Sequence, residues 1–253
     1  MFPYRDENPT LNTPIATYVI IGMNVVVWFA VQGFGTTVPL AESFCAYALI
    51  PADLLGATSA DTLIPMGQGL ACNISGRGEM STLFTSMFMH GGWMHIVGNM
   101  LFLWVFGDNV EDIMGPLRFA AFYVLCGLGA AFAQIAADPG SLIPMVGASG
   151  AIGGVMGAYA MMFPRARVHL LVILIVYVTT ISVPAVFMLG YWFLLQLLSG
   201  IGTLGSTGGG VAFWAHIGGF VAGIVLVFFF RQPALIEARQ RMTQRRRARH
   251  DWF

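Results

Sequence analysis

Lysine is absent from this sequence, and charge of either sign is scarce. Only 9% of its 253 residues are Asp, Glu, Lys or Arg, against roughly 25% in soluble domains, while 57% are hydrophobic. That balance excludes an ordinary soluble globule. Three cysteines, Cys45, Cys72 and Cys126, are too few for a disulfide scaffold and lack metal-ligand spacing. Cys45 and Cys72 share one long loop, so one bridge is open to them in an oxidising compartment, but two free thiols are the expectation. His90, His95, His169, His216 and His250 make no ligand pattern and HExxH is missing, so no metal or other cofactor is expected. Residues 1–13 are polar and the apolar run after them lacks a small-residue cleavage site, so no cleavable signal is expected.

What is present is a series of long apolar runs. A bilayer core of about 30 Å needs about 20 such residues per helix. Runs bounded by Pro, Gly or charge predict helices at about 15–32, 91–106, 117–136, 147–163, 185–199 and 211–230. The fold class expected is therefore an all-α membrane protein, with six spans in one domain over 1–230 and a basic tail over 231–253. The first 13 residues form a short N-terminus. The loop between the first two helices carries Glu42, Asp53, Asp61, Arg77 and Glu79 and is too polar to span. The segment 168–183 is apolar enough to pass for another span. Its Val, Ile, Thr and Tyr are β-type usage, so it reads as interfacial or strand-like.

Arginine supplies the orientation. Six spans put both termini on one side, and of the twelve basic residues only Arg77 then falls on the other. The positive-inside rule makes the terminal side cytoplasmic. Seven arginines lie between Arg231 and Arg249, and they read as orientation and lipid-headgroup contacts rather than a nucleic-acid site.

Strongly polar residues inside a span are expensive and point to function by default. His95 and Asn99 lie four apart in the second helix, hence on one face. Ser149 opens the fourth and His216 lies early in the sixth. Each has a plainer reading. A serine among Gly147, Gly150, Gly153, Gly154 and Gly157 is by itself more often a packing residue, and a lone histidine or an Asn–His pair often makes an interhelical hydrogen bond. The topology weakens those readings, because the second, fourth and sixth helices all start on the face opposite the termini. At 1.5 Å rise per residue, Ser149 and His216 then lie at similar depth, and the glycines around Ser149 with Gly218, Gly219 and Gly223 permit close approach. A serine needs a neighbouring base of near-neutral pKa to become a nucleophile. Backbone N–H groups at a helix start, with Asn99 and His95, are suitable oxyanion donors. No acidic residue lies at that depth as a third member; Asp138, before the fourth helix, is the nearest and a poor candidate.

HGGWMHIVGNMLFLWVFGDNVED, GASGAIGGVMGAY and FWAHIGGFVAG, in this order and spacing, resemble the three signature stretches of the rhomboid family of intramembrane serine proteases. The resemblance covers about 14–230. It implies a six-helix bundle with a long first loop dipping laterally into the membrane. It also implies a Ser149–His216 catalytic dyad, Asn99 and His95 as the oxyanion pair, and transmembrane proteins as substrates. The expected location is a plasma membrane or bacterial inner membrane, with both termini cytoplasmic. Two features depart from the family pattern. Ser81 and Thr82 stand where many members have a Trp-Arg pair, leaving the loop without that anchor. Gly153 stands where some have an aromatic stacked on the catalytic histidine, so other packing must orient His216.

The glycine-rich segment 200–210, just ahead of His216, reads equally as a lid or a plain connection. The competing functions are a catalytically inactive relative, against which Ser149 and His216 count, and a transporter, against which the absence of an internal repeat counts.

Overall fold

The computed structural model describes residues 2–59, 61–67, 69–74, 76, 78–174, 177–203 and 211–250. Among the helices that pack together are α1 (Ile15–Ala30), α5 (Trp93–Met114), α6 (Pro116–Ala137), α7 (Ser149–Met162), α8 (Ala185–Thr203) and α9 (Phe213–Phe230). Among them α6, α8 and α9 are long and apolar enough to cross a membrane. The other three are unlike ordinary lipid-facing spans for identifiable reasons. α1 is apolar but has 16 residues, α5 carries Asp108, Glu111 and Asp112 in its last turns, and α7 has 14 residues and is shielded by its neighbours.

α7 is the centre of the packing. Every residue from Gly150 to Tyr159 is buried, because α5, α6 and α9 all pack against it. Small residues make this possible. A Cβ placed on Gly223 of α9 would lie 1.9 Å from the carbonyl oxygen of Gly154 on α7, so the two backbones approach as only glycine allows. In a bilayer, where lipid chains are as apolar as the helix faces, such close packing is a principal source of association.

The chain is mostly helical, with two small sheets added. The segment read as strand-like forms a hairpin, β4 (Arg167–Leu174) and β5 (Tyr177–Pro184), joined on its other edge by β1 (Phe2–Asp6). β1 and β4 are antiparallel, so the N-terminal strand covers an edge that would otherwise be open. The polar N-terminus is thus part of the fold. His169 and Glu7 add a 2.8 Å side-chain bond beside this pairing.

α5 runs two turns beyond the predicted end at 106, through the acidic run GDNVED. Glu111 and Asp112 are buried in hydrogen bonds instead of ending the helix. Glu111 accepts the backbone N–H of Ala16 at 2.9 Å and of Thr17 at 2.8 Å, together with the Thr17 hydroxyl. It thereby satisfies free donors at the start of α1 with a negative charge. Asp112 accepts from the backbone of Leu11 and Asn12 and from Arg239 Nη1 at 2.7 Å. Arg239 also donates to Asn109 and Asn8, and Tyr159 donates to Asp6. Burial pushes the Asp6 carboxyl above the ordinary carboxylate range. Arg239 stands in α10 (Pro233–His250) and is 5% exposed. This tail arginine, expected at lipid headgroups, is instead an internal ligand of the acidic cluster, because Asp112 offers it a buried partner.

The first loop is structured as well. It holds α2 (Thr37–Tyr47), α3 (Pro51–Leu54), the hairpin β2 (Thr62–Gly67) with β3 (Leu70–Ile74), and α4 (Thr82–Thr85). The expectation of two free thiols is corrected: Cys45 on α2 and Cys72 on β3 form a disulfide, with Cα atoms 5.3 Å apart. Hairpin folding brings them together, as Cys72 sits in a small core with Ile50, Ile64 and Ile74. Lacking the Trp-Arg anchor, the loop is held by backbone bonds to the segment before α7. Leu49 and Met145 exchange N–H···O bonds of 3.1 and 2.8 Å, and Ala52 N–H bonds to Ser141 O at 3.0 Å. Ser81 and Thr82 turn to Glu79 instead. Most of the candidate lid, residues 204–210, lies outside the described residues, as does Arg77.

Candidate active site

Ser149 is the first residue of α7. The turn that delivers it depends on Gly147, whose φ is +128°, a value L side chains rarely adopt. A Cβ there would also lie 2.8 Å from His95 Cε1 and Nε2. The first glycine of GASG is therefore required twice, by the backbone and by the histidine beside it. Its N–H is tied to Ser86 O at 2.9 Å.

His216 lies one turn into α9, and its Nε2 is 2.8 Å from Ser149 Oγ. Close α7–α9 packing sets that distance: a Cβ on Gly153 would stand 3.1 Å from the His216 carbonyl oxygen. The start of α9 is capped from α6, where Gln134 Oε1 accepts the Ala215 N–H at 3.3 Å. On its other side the imidazole meets α8. Its Nδ1 is 2.8 Å from Gln196 Oε1, and the Trp192 ring lies 5.8 Å away, tilted by 36°. Position 153 has no aromatic, but Trp192 reaches the same space from α8, with its Cη2 at 3.8 Å from a Cβ built on Gly153. Asp138 lines the same cavity, while the partner of His216 Nδ1 is Gln196.

His95 and Asn99 project from the first turns of α5 into the same space. His95 Nδ1 accepts the Gly91 N–H at 3.1 Å, which leaves the ring proton on Nε2, the nitrogen beside Gly147 and the start of α7. Behind it the His90 ring packs at 5.2 Å. His90 is held through its backbone by Gln32, which donates to its carbonyl at 2.9 Å and accepts its N–H at 2.8 Å. Asn99 is 8% exposed, and its Nδ2 has no hydrogen-bond partner among the described residues. An idle buried amide donor costs free energy unless something is meant to fill it. His95, Asn99, Gln134, Ser149, Trp192 and His216 line one cavity of about 1240 Å³. Such an arrangement can activate a hydroxyl and supply hydrogen bonds to an oxyanion.

Gln196, Trp192 and Gln134 went unnoticed in the sequence. A signal existed for the first two: they lie four apart on α8, on one face, and Gln196 is the one amide in that helix.

Apolar helices packed through glycines define a helical membrane protein, and comparison with known families gives its family. The Rhomboid domain family matches residues 77–233, and the chain belongs to the rhomboid family. Relatives include RHOMBOID-like protein 1 of Arabidopsis thaliana, 28% identical over 211 residues, covering 80% of this chain and 50% of that protein. RHOMBOID-like protein 5 of the same plant is 34% identical over 109 residues, 43% of this chain and 35% of the relative. Rhomboid protease GluP of Bacillus subtilis (strain 168) is 29% identical over 145 residues, 57% and 24% respectively. The matched stretches thus span between 24% and 50% of these relatives' own lengths.

Proposed function

We propose that this chain is an intramembrane serine endopeptidase that hydrolyses peptide bonds in or near the transmembrane segments of other membrane proteins. The observation that carries the reading is the 2.8 Å contact between Ser149 Oγ and His216 Nε2 inside a cavity. Asn99 Nδ2, without a partner among the described residues and lining the same cavity, supports it.

The chemistry follows from the proton inventory. His216 Nε2 takes the Ser149 proton as Oγ bonds to the substrate carbonyl carbon, and the carbonyl electrons move onto oxygen. Asn99 Nδ2, His95 Nε2–H and the backbone N–H groups at the start of α7 face that oxyanion. Protonated His216 then gives its proton to the leaving amine as the C–N bond breaks. Water, deprotonated by the same nitrogen, releases the acyl group and restores Ser149. The substrate is a segment whose peptide bonds are freed from helical hydrogen bonding, hence one with helix-breaking residues near the outer interface.

The topology belongs to the same proposal. α1, α5, α6, α7, α8 and α9 cross the membrane, and β4–β5 stays at the terminal face. α7 places Ser149 at its non-cytoplasmic end, and α8 returns the chain once so that α9 begins at the same level. A second return would place His216 roughly a bilayer's width away. Both termini are cytoplasmic, consistent with the arginine distribution and with a disulfide in the opposite loop.

The test is purified protein reconstituted with a model single-span substrate, wild type beside Ser149→Ala. Cleavage by the first alone is expected. Cleavage by both refutes the serine mechanism, and cleavage by neither points to an inactive member of the family.

A further inference from the structure

α8 is the most exposed helix of the bundle, with only Ala185, Leu189 and Gly200 buried among its residues. Its outward face is apolar, as lipid contact demands. An amide in such a helix is expensive unless it has a partner, and Gln196 has one: its Oε1 stands 2.8 Å from Nδ1 of His216, while Nε2 of the same ring meets Ser149 at 2.8 Å. Trp192, one turn earlier on the same face, leans over that ring. Glutamine, imidazole and serine therefore form one continuous line of hydrogen bonds across α8, α9 and α7.

Resting on the serine-hydrolase reading above, we propose that Gln196 is a positioning residue that selects the tautomer of His216. The base must present a bare Nε2 to Ser149, so its single proton has to reside on Nδ1. Gln196 Oε1 accepts that proton and holds it there. The amide is neutral, so it orients the ring without adding a buried charge to a lipid-exposed helix, which a carboxylate at this place would do. It is also two-faced. Turned over, its Nε2–H₂ would donate to Nδ1, forcing the ring proton onto Nε2 and disabling the base.

The surroundings leave Gln196 as the polar group that determines this choice. Among the described residues, the titratable groups facing the imidazole are Ser149 on α7 and, across the cavity, His95 on α5, with Asp138 at the cavity edge beyond the end of α6. α6 contributes Gln134, which is engaged with the Ala215 N–H, and α8 contributes Trp192 and Gln196.

The experiment is a pH–rate profile of reconstituted enzyme on the model substrate for wild type, Gln196→Leu and Gln196→Glu, each with its melting temperature. A leucine of similar size cannot hold the proton. kcat should fall about tenfold or more at unchanged KM, as expected for losing one hydrogen bond made to the acting form of the base. An ionised glutamate only accepts, so Gln196→Glu should retain more of kcat than Gln196→Leu does. It should also move the acidic limb of the profile to higher pH, since a carboxylate stabilises the imidazolium. A merely structural role would lower the melting temperature of Gln196→Leu and leave the kcat of the folded protein unchanged. Wild-type profiles in both variants, or an unmoved acidic limb in Gln196→Glu even with reduced activity, would overturn the assignment. If both variants fail to fold, a Gln196→Asn protein with an unaltered pH profile and full kcat overturns it equally, because the shorter amide cannot reach Nδ1. Ser149→Ala separates the two readings: if it is inactive while the Gln196 variants behave as wild type, only the positioning role falls.

Discussion

A Cβ built on Gly219 would lie 1.9 Å from the carbonyl oxygen of Gly150, so α9 touches α7 backbone to backbone one turn from the Ser149–His216 contact. Gly219→Ala should therefore separate the helices. The expected cost is about 1–3 kcal/mol, the usual range for overpacking, together with loss of proteolysis. Gly190→Ala, where nothing lies within 4 Å, is the control and should be neutral or slightly stabilising. Thermal unfolding in detergent checks both, and equal stability of the two variants would contradict the packing account.

Ser149→Ala and His216→Ala should each abolish cleavage and leave membrane insertion intact. The double variant should be no worse than either single one, because residues acting as a unit fail together. Additive losses in turnover would show that the two side chains do not act on one proton.

Asn99→Ala should lower kcat by about 100-fold to 1000-fold, the range for losing one oxyanion donor, with His95→Ala comparable or milder. Melting temperature should hardly change for Asn99→Ala, since its Nδ2 has no hydrogen-bond partner among the described residues. A rise in KM at constant kcat would move Asn99 from the oxyanion to substrate binding.

Topology is testable by accessibility. With Cys126 replaced by alanine and the Cys45–Cys72 bridge intact, a cysteine at exposed Gly140 should react with an impermeant thiol reagent from outside. One at exposed Gln244 should not. The reverse pattern would refute the six-span orientation and the site built on it.

Arg239→Leu should destabilise the protein by about 3–5 kcal/mol, because it leaves the buried Asp112 carboxylate without its cation. Adding Asp112→Asn should recover part of the loss by removing the orphaned charge. A double variant no more stable than the single one would place the effect in lost packing of the guanidinium on the Phe163 ring, 4.5 Å below it.

How much of this was legible beforehand varies from residue to residue. The apolar runs marked α1, α5, α6, α7, α8 and α9 as helical, and β-branched usage marked 168–183 as strand-like, since both are local properties of consecutive residues. The end of α5 was misplaced because GDNVED is polar in sequence. It continues the helix only where the start of α1, the N-terminal turn and Arg239 arrive to satisfy it. The pairing of Cys45 with Cys72 was equally hidden, as it requires the β2–β3 hairpin to fold back on α2.

By itself the sequence determined that the chain is rich enough in apolar runs to live in a membrane, that its glycines permit close helix contacts, and which hydroxyl, imidazole and amide are candidates for one chemistry. Only the tertiary structure decided which nitrogen of His216 meets Ser149, that Gln196 and Trp192 come from α8 to hold its other side, and that Asn99 reaches the same cavity. The reason is physical. Helix and span are set by neighbours a few residues apart, whereas a proton's position on an imidazole is set by hydrogen bonds from helices far away in the chain, which only packing brings within 3 Å.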